Sequence, residues 1–189
     1  PNSSLNKYVV QFCSVINMKL PEQEDLRLKY SLTKKYFIVS NQFWKHKNHP
    51  VVLKALVNIK KEGKLAFEVL FTGKESDPRN PNYMGELRTF IVENKLDSHI
   101  KLLGFISRED QLGLMRDSMA VVQPSKFEGW GTVVEDAKTL NVQVIASSID
   151  VHGEQLGDNA YYFEENDSDE LSQLLSDYYL GHNKEKHHY

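Results

Sequence analysis

The chain has 189 residues, 40% hydrophobic and 26% charged, which is enough for one globular domain with a real core and too apolar for a disordered chain. A net charge of -3 gives no electrostatic footprint for nucleic acid. The single cysteine, Cys13, excludes an internal disulfide and suits a reducing compartment, and neither a signal-peptide pattern nor an apolar run of membrane-spanning length is present.

Residues 1–35 read as a lead-in, with one strand over 7–16 and a short helix over 21–32 opened by Pro21, with acids in its first turn. From Tyr36 the chain alternates. The run 36–40 (YFIVS) is a buried strand. Residues 50–63 form an amphipathic helix between Pro50 and Gly63. Then come a strand (67–73), a helix (82–96), a strand (99–104) and a helix (107–118) that Ser107 caps. A fourth strand (119–125) ends at Pro124. A helix (132–141), strands at 142–147 and 159–163 and a last helix (167–180) follow. The polar, histidine-rich tail after residue 180 is set apart from the fold.

Strands alternating with helices predict an α/β domain over 36–180: a Rossmann-like doubly wound parallel sheet of about six strands. The commonest order for six is 3-2-1-4-5-6, which makes the first and fourth strands neighbours at the switch point. The loops leaving their carboxyl ends are 41–49 and 124–131, the two most unusual in the sequence.

In the second of these, Glu128 and Glu135 stand seven positions apart around Gly129-Trp130-Gly131. Thr132 followed by Glu135 matches a capping box, and Glu128 matches an ordinary loop acid. Against that, the two glycines let the backbone approach a ligand, and the first amides of a helix favour phosphate. A carboxylate suits sugar hydroxyls, so the loop fits a ligand carrying both. On spacing alone cap and function are balanced. The first loop holds Asn41, Lys45, His46, Lys47, Asn48 and His49, which fit a diphosphate clamp but by themselves read more readily as an ordinary solvated loop. His46 and His49 lack companions with zinc spacing, so no metal is expected. Dinucleotide, P-loop, zincin and nucleophile-elbow signatures are all missing.

The stretches VSNQFWKHKNHPVVLKAL, LFTGKESD, IKLLGFISREDQLGLM and, most specifically, VVQPSKFEGWGTVVEDAKTLNVQVIAS resemble the C-terminal, donor-binding domain of GT-B glycosyltransferases of the GT4 type, the retaining group 1 enzymes. The resemblance runs from about Val39 to Leu175. It implies binding of a nucleoside-diphosphate sugar, with no metal or other cofactor, and transfer of a hexose with retained configuration to a glycan or lipid-linked acceptor. It further implies Lys47 at the diphosphate and Glu128 at the transferred sugar as the catalytic pair, with Gly104, Phe105 and Ile106 near the base. Gly129, Trp130, Gly131 and Thr132 match the turn whose amides meet sugar and phosphate, and Glu135 matches the second glutamate, at the ribose.

Two departures stand out. The arginine usual in the clamp falls near Asn41, which is neutral, so Lys45 or Lys47 is expected to supply its charge. The family often has one more residue between the two glutamates. The lead-in is too short for an acceptor-binding domain, so the chain is expected to be one half of an enzyme, inactive alone. Bacterial surface polysaccharide synthesis, in the cytoplasm or at the inner face of the membrane, is the expected setting by analogy. A sugar-nucleotide 2-epimerase and a non-catalytic nucleotide-sugar-binding domain are the alternatives; net transfer to an acceptor separates them from the first reading.

Overall fold

The computed structural model describes residues 11–183 and Lys186. Six parallel strands lie in the order β3-β2-β1-β4-β5-β6, the order expected from the strand count. They are β1 (Tyr36–Ser40), β2 (Glu68–Thr72), β3 (Ile100–Gly104), β4 (Val121–Gln123), β5 (Val144–Ser147) and β6 (Ala160–Phe163). The helices are α1 (Gln23–Lys29), α2 (His49–Lys61), α3 (Tyr83–Glu93), α4 (Arg108–Arg116), α5 (Thr132–Thr139), α6 (Asp150–Leu156) and α7 (Ser168–Leu180).

Both faces of the sheet are covered, which explains why the strands read as unbroken apolar runs. Side chains alternate between faces. Phe37 and Val39 of β1 join a core with Val52, Leu56 and Ile59 of α2, Leu87 of α3 and Leu171 of α7. Tyr36 and Ile38 join the opposite core with Leu26 of α1, Leu114 of α4, Val134 of α5 and Leu156 of α6. Leu56 and Ile38 are fully buried, and truncating either to alanine would cost about 2–5 kcal/mol.

Helix ends follow the local chemistry. The Ser107 hydroxyl accepts the Asp110 amide at 3.2 Å, the cap expected for α4. Asp167 caps α7 through the amides of Asp169 and Glu170, both at 2.9 Å. Between β1 and α2 a single 3-10 turn, Lys45–Lys47, hands over to α2 at Asn48.

The lead-in differs from expectation. Residues 11–16 carry no strand, and 7–10 lie outside the described residues. The helix expected over 21–32 is shorter, and it docks on α4. Gly113 makes room for it: a Cβ there would stand 2.7 Å from Leu26 Cδ1. Lys29 Nζ and Tyr30 Oη both donate to Asp110 at 2.5 Å. A second difference is α6, in a stretch between the expected strands at 142–147 and 159–163 to which the sequence pattern assigns no element. It is short, has Gly153 inside it and no side-chain cap, and it buries His152 and Gln155 beside Leu156. A helix that buries polar residues leaves no hydrophobic period to read. Among the described residues no helix is long and apolar enough to cross a membrane.

Candidate functional site

Strands β1 and β4 pair in parallel, so their carboxyl ends share one edge of the sheet. The loops 41–49 and 124–131 run side by side there, as expected. The Lys126 amide donates to the His46 carbonyl at 2.8 Å. Asn48 Nδ2 donates to the carbonyls of Pro124 at 3.1 Å and Glu165 at 2.7 Å, joining three loops. Its backbone is left-handed, with φ at 56°, a conformation asparagine tolerates better than most residues.

This junction brings Lys47 and Glu128 together. Lys47 Nζ lies 2.5 Å from Glu128 Oε1, and the side chains are only 13% and 9% exposed. The same oxygen accepts Ser125 Oγ at 2.7 Å and Gln123 Nε2 at 3.1 Å. Oε1 is therefore fully engaged, whereas Oε2 has no partner among the described residues. Asn41 stands behind this group. It is buried, and its Nδ2 donates to Gln123 Oε1 at 2.9 Å. Gln123 thus couples Asn41 to Glu128, a link that sequence reasoning missed.

Lys45 is not part of this cluster. It sits two residues earlier on the 3-10 turn and lines a different cleft, with Lys54, Arg79 and Lys126. His46 lies between the two. Desolvation, then the nearby Lys47 charge, lowers its pKa, so it is neutral near pH 7. His49 is buried and stacked on Phe43, ring centroids 4.6 Å apart and planes 9° from parallel. Its Nδ1 is 3.3 Å from Tyr83 Oη. Among the described residues no group of three or more His, Cys, Asp or Glu is arranged for a metal ion.

The glycine turn follows Glu128. Gly129 is exposed, and Trp130 Nε1 donates to the Phe12 carbonyl at 3.1 Å. The lead-in therefore crosses this loop. Gly131 is the N-cap of α5 and Thr132 its first, exposed, helical residue, with no side-chain cap. Thr132 and Glu135 are consequently one position too far along for a capping box. Gln155 of α6 takes over instead. Its Oε1 accepts the Gly131 amide at 3.0 Å, and its Nε2 donates to the Gly131 carbonyl at 3.2 Å and to Glu135 Oε1 at 2.8 Å.

Glu135 is thus directed toward α6, buried, with Lys138 Nζ 3.3 Å away as its ion-pair partner. Among the described residues its partners, Gln155 and Lys138, are not those of Glu128. The next residue, Asp136, lies on the other flank of α5. Arg108 binds both of its carboxylate oxygens, at 2.7 and 2.5 Å, and Ser14 Oγ donates to Oδ1 at 2.6 Å. A helix turns about 100° per residue, so these neighbours in sequence point to different flanks.

Gly104 ends β3, and its carbonyl accepts the Gly73 amide at 2.8 Å. Gly73 cannot be replaced without a shift: a Cβ would meet the Asn41 carbonyl oxygen at 2.1 Å. This close approach shapes a small cleft of about 90 Å³ lined by Asn41, Phe105, Ile106 and Gln111 among others. Phe105 is 81% exposed, an aromatic face presented to solvent at the rim. Arg108 Nη1 also donates to Gln111 Oε1 at 3.1 Å, which ties Asp136 to this cleft.

The sequence pattern of the family described as "Glycosyl transferases group 1" matches residues 22–188. An uncharacterised glycosyltransferase of Methanocaldococcus jannaschii is 33% identical over 92 residues, covering 48% of this chain and 26% of the relative. A glycosyltransferase from Rickettsia africae superposes with a TM-score of 0.73 at 22% identity, over 85% of this chain and 42% of that one. Anabaena HepE, solved with UDP, gives 0.70 at 20% identity, over 82% and 43%. The chain thus spans about a quarter of the curated relative and about two fifths of these solved structures. With nearly its whole length matched by the family pattern and its sheet shared with solved glycosyltransferases, the chain belongs to the group 1 glycosyltransferases.

Proposed function

We propose that this domain binds a nucleoside-diphosphate sugar and forms the donor side of a retaining hexosyltransferase. The observation that carries the reading is the nearly buried Lys47–Glu128 pair at the switch point. The Lys47 ammonium supplies positive charge to the leaving diphosphate, where fixed charge in a dry site stabilises the transition state most. Glu128, held by three donors on Oε1, offers Oε2 to hydroxyls of the transferred sugar. Phe105 and Ile106 supply an apolar surface for the base. Anabaena HepE has been solved with UDP and glucose, which supports this class of ligand.

For the ribose, Asp136 is the better candidate than Glu135. The Ser14 hydroxyl already makes with Asp136 the contact a ribose hydroxyl would make, on the flank of α5 that faces the Phe105 cleft. Glu135 instead positions the Gly131 turn through Gln155. The acceptor, a glycan or lipid-linked sugar, would be held by a second domain outside residues 1–189. Surface polysaccharide synthesis at the inner face of a bacterial membrane is the setting we favour. Calorimetry with UDP-, GDP-, ADP- and dTDP-sugars tests the reading: one should bind saturably and lose affinity in Lys47→Ala. Binding of none of them, or binding indifferent to Lys47, would overturn it.

A further inference from the structure

Lys45 and Lys47 are two positions apart, yet they serve different cavities. Lys47 turns to Glu128, and Lys45 lines a cleft of about 580 Å³ on the far side of the 3-10 turn. Neither Lys47 nor Glu128 borders this cleft. Its walls come from the 3-10 turn, the first two turns of α2, the loop between β2 and α3 with the start of α3, and the loops after β4 and β6. Four cations stand around it: Lys45, Lys54, Arg79 and Lys126.

The acids nearby do not balance them. Asp77 is committed, bound by Arg79 Nε at 3.1 Å and Asn80 Nδ2 at 3.0 Å. Arg79 is further held over the Trp44 ring, 5.3 Å from its centroid. Lys126 Nζ donates to the neutral Asn166 at 2.5 Å. The ammonium groups of Lys45 and Lys54 have no partner among the described residues. Glu86, at the rim, is the remaining acid. Like charges gathered around a concave surface repel one another unless an anion sits between them. The volume is that of a small-molecule site rather than a lone ion's seat. Asn80 and Glu86 offer a donor and an acceptor for hydroxyls beside the charge.

We propose that this cleft binds a phosphomonoester dianion carried on a hydroxylated body, with Lys45, Lys54 and Lys126 as its cationic contacts. The inference is independent of the donor reading, because the two sites share no contact residue. A sugar phosphate and a phosphomonoester lipid headgroup offer the same chemistry. The test is calorimetric titration of the 189-residue chain with inorganic phosphate and with glucose 6-phosphate at constant ionic strength. Sedimentation with phosphatidylcholine vesicles, with and without phosphatidic acid, runs beside it. Phosphate should bind saturably. The Lys45→Ala/Lys54→Ala variant should lose about ten-fold or more in affinity, as expected for charge-assisted contacts. Lys61→Glu, the same two-unit charge change on an exposed part of α2, should lose little. Lys126→Ala, read alone, repeats the test from a second loop. Tighter binding of glucose 6-phosphate than of phosphate identifies a soluble source; lysine-dependent sedimentation with phosphatidic acid identifies a lipid one. Absence of saturable phosphate binding, or equal affinities in the double variant and Lys61→Glu, overturns the proposal.

Discussion

Lys47 Nζ stands 2.5 Å from Glu128 Oε1 across the junction of β1 and β4, with both side chains almost out of water. Two charges so placed stabilise each other only as a pair; removing one leaves the other uncompensated. Lys47→Met should therefore destabilise the domain by about 3 kcal/mol, near the low end for such a break because Ser125 and Gln123 still donate to the carboxylate. Adding Glu128→Gln removes the stranded charge and should recover part of that loss. Urea unfolding of both variants reads the difference. A double variant no more stable than Lys47→Met would mean the pair is not energetically coupled.

The same lysine separates phosphate from base. Lys47→Ala should weaken binding of a nucleoside diphosphate by about 1.5–3 kcal/mol and leave the nucleoside nearly unchanged. Calorimetry with both ligands decides, and equal losses would show that Lys47 does not meet the diphosphate.

Much of this architecture was legible beforehand, for a physical reason. Strands covered on both faces carry unbroken apolar runs, and punctuation such as Ser107 and Pro50 marks helix starts directly. The order of six strands then placed loops 41–49 and 124–131 together. The orientation of side chains within the loops was not legible. Lys45 and Lys47 look equivalent in sequence, and only the 3-10 turn sends them to opposite sides. Glu135 looked like a partner of Glu128 because spacing along a chain says nothing of the angle around a helix. The helical turn separates it from Asp136, and Gln155 claims it from α6. Gln155 itself left no signal, since a buried glutamine on a short glycine-containing helix looks like loop.

Gln155 should be the stabilising polar residue of the glycine turn. Gln155→Ala leaves the Gly131 amide without its partner and Glu135 Oε1 with Lys138 alone, and should cost about 1–3 kcal/mol. Gln155→Glu should be worse rather than better. It can still accept the Gly131 amide, but it sets a second carboxylate against Glu135. Melting temperatures of the two variants give the ranking; a glutamate variant as stable as wild type would show that the Glu135 contact contributes nothing.

The two acids of α5 should separate in nucleotide binding. Glu135→Gln keeps an acceptor for Gln155 and stays away from the cleft, so affinity for a nucleoside diphosphate should change little. Asp136→Asn weakens the bidentate Arg108 contact and the proposed ribose partner together, and should lower affinity by about ten-fold. Asp136→Asn also needs a control for folding, which its unfolding midpoint provides. The reverse pattern, with Glu135→Gln the weaker binder, would return the ribose to Glu135.

His49 should make the fold acid-sensitive. Burial first, and the Lys47 charge second, hold its pKa down at about 3, against an ordinary 6.5. The folded protein therefore keeps the ring neutral while the unfolded chain takes up a proton as the pH drops through 6.5. The unfolded state then binds more protons, so stability is intact above that value and falls between it and about 3. The steepest slope one such group can give is about 1.4 kcal/mol per pH unit. His152, buried and likewise held below its ordinary value, adds in the same direction. His49→Gln removes one titrating group and leaves His152 in place. Urea unfolding from pH 7 to 4.5 should show a shallower loss of stability in this variant than in wild type, even if its stability at pH 7 is lower for want of the Phe43 stack. Parallel pH profiles for the two proteins would mean that the ring is protonated in the folded state, which contradicts its burial.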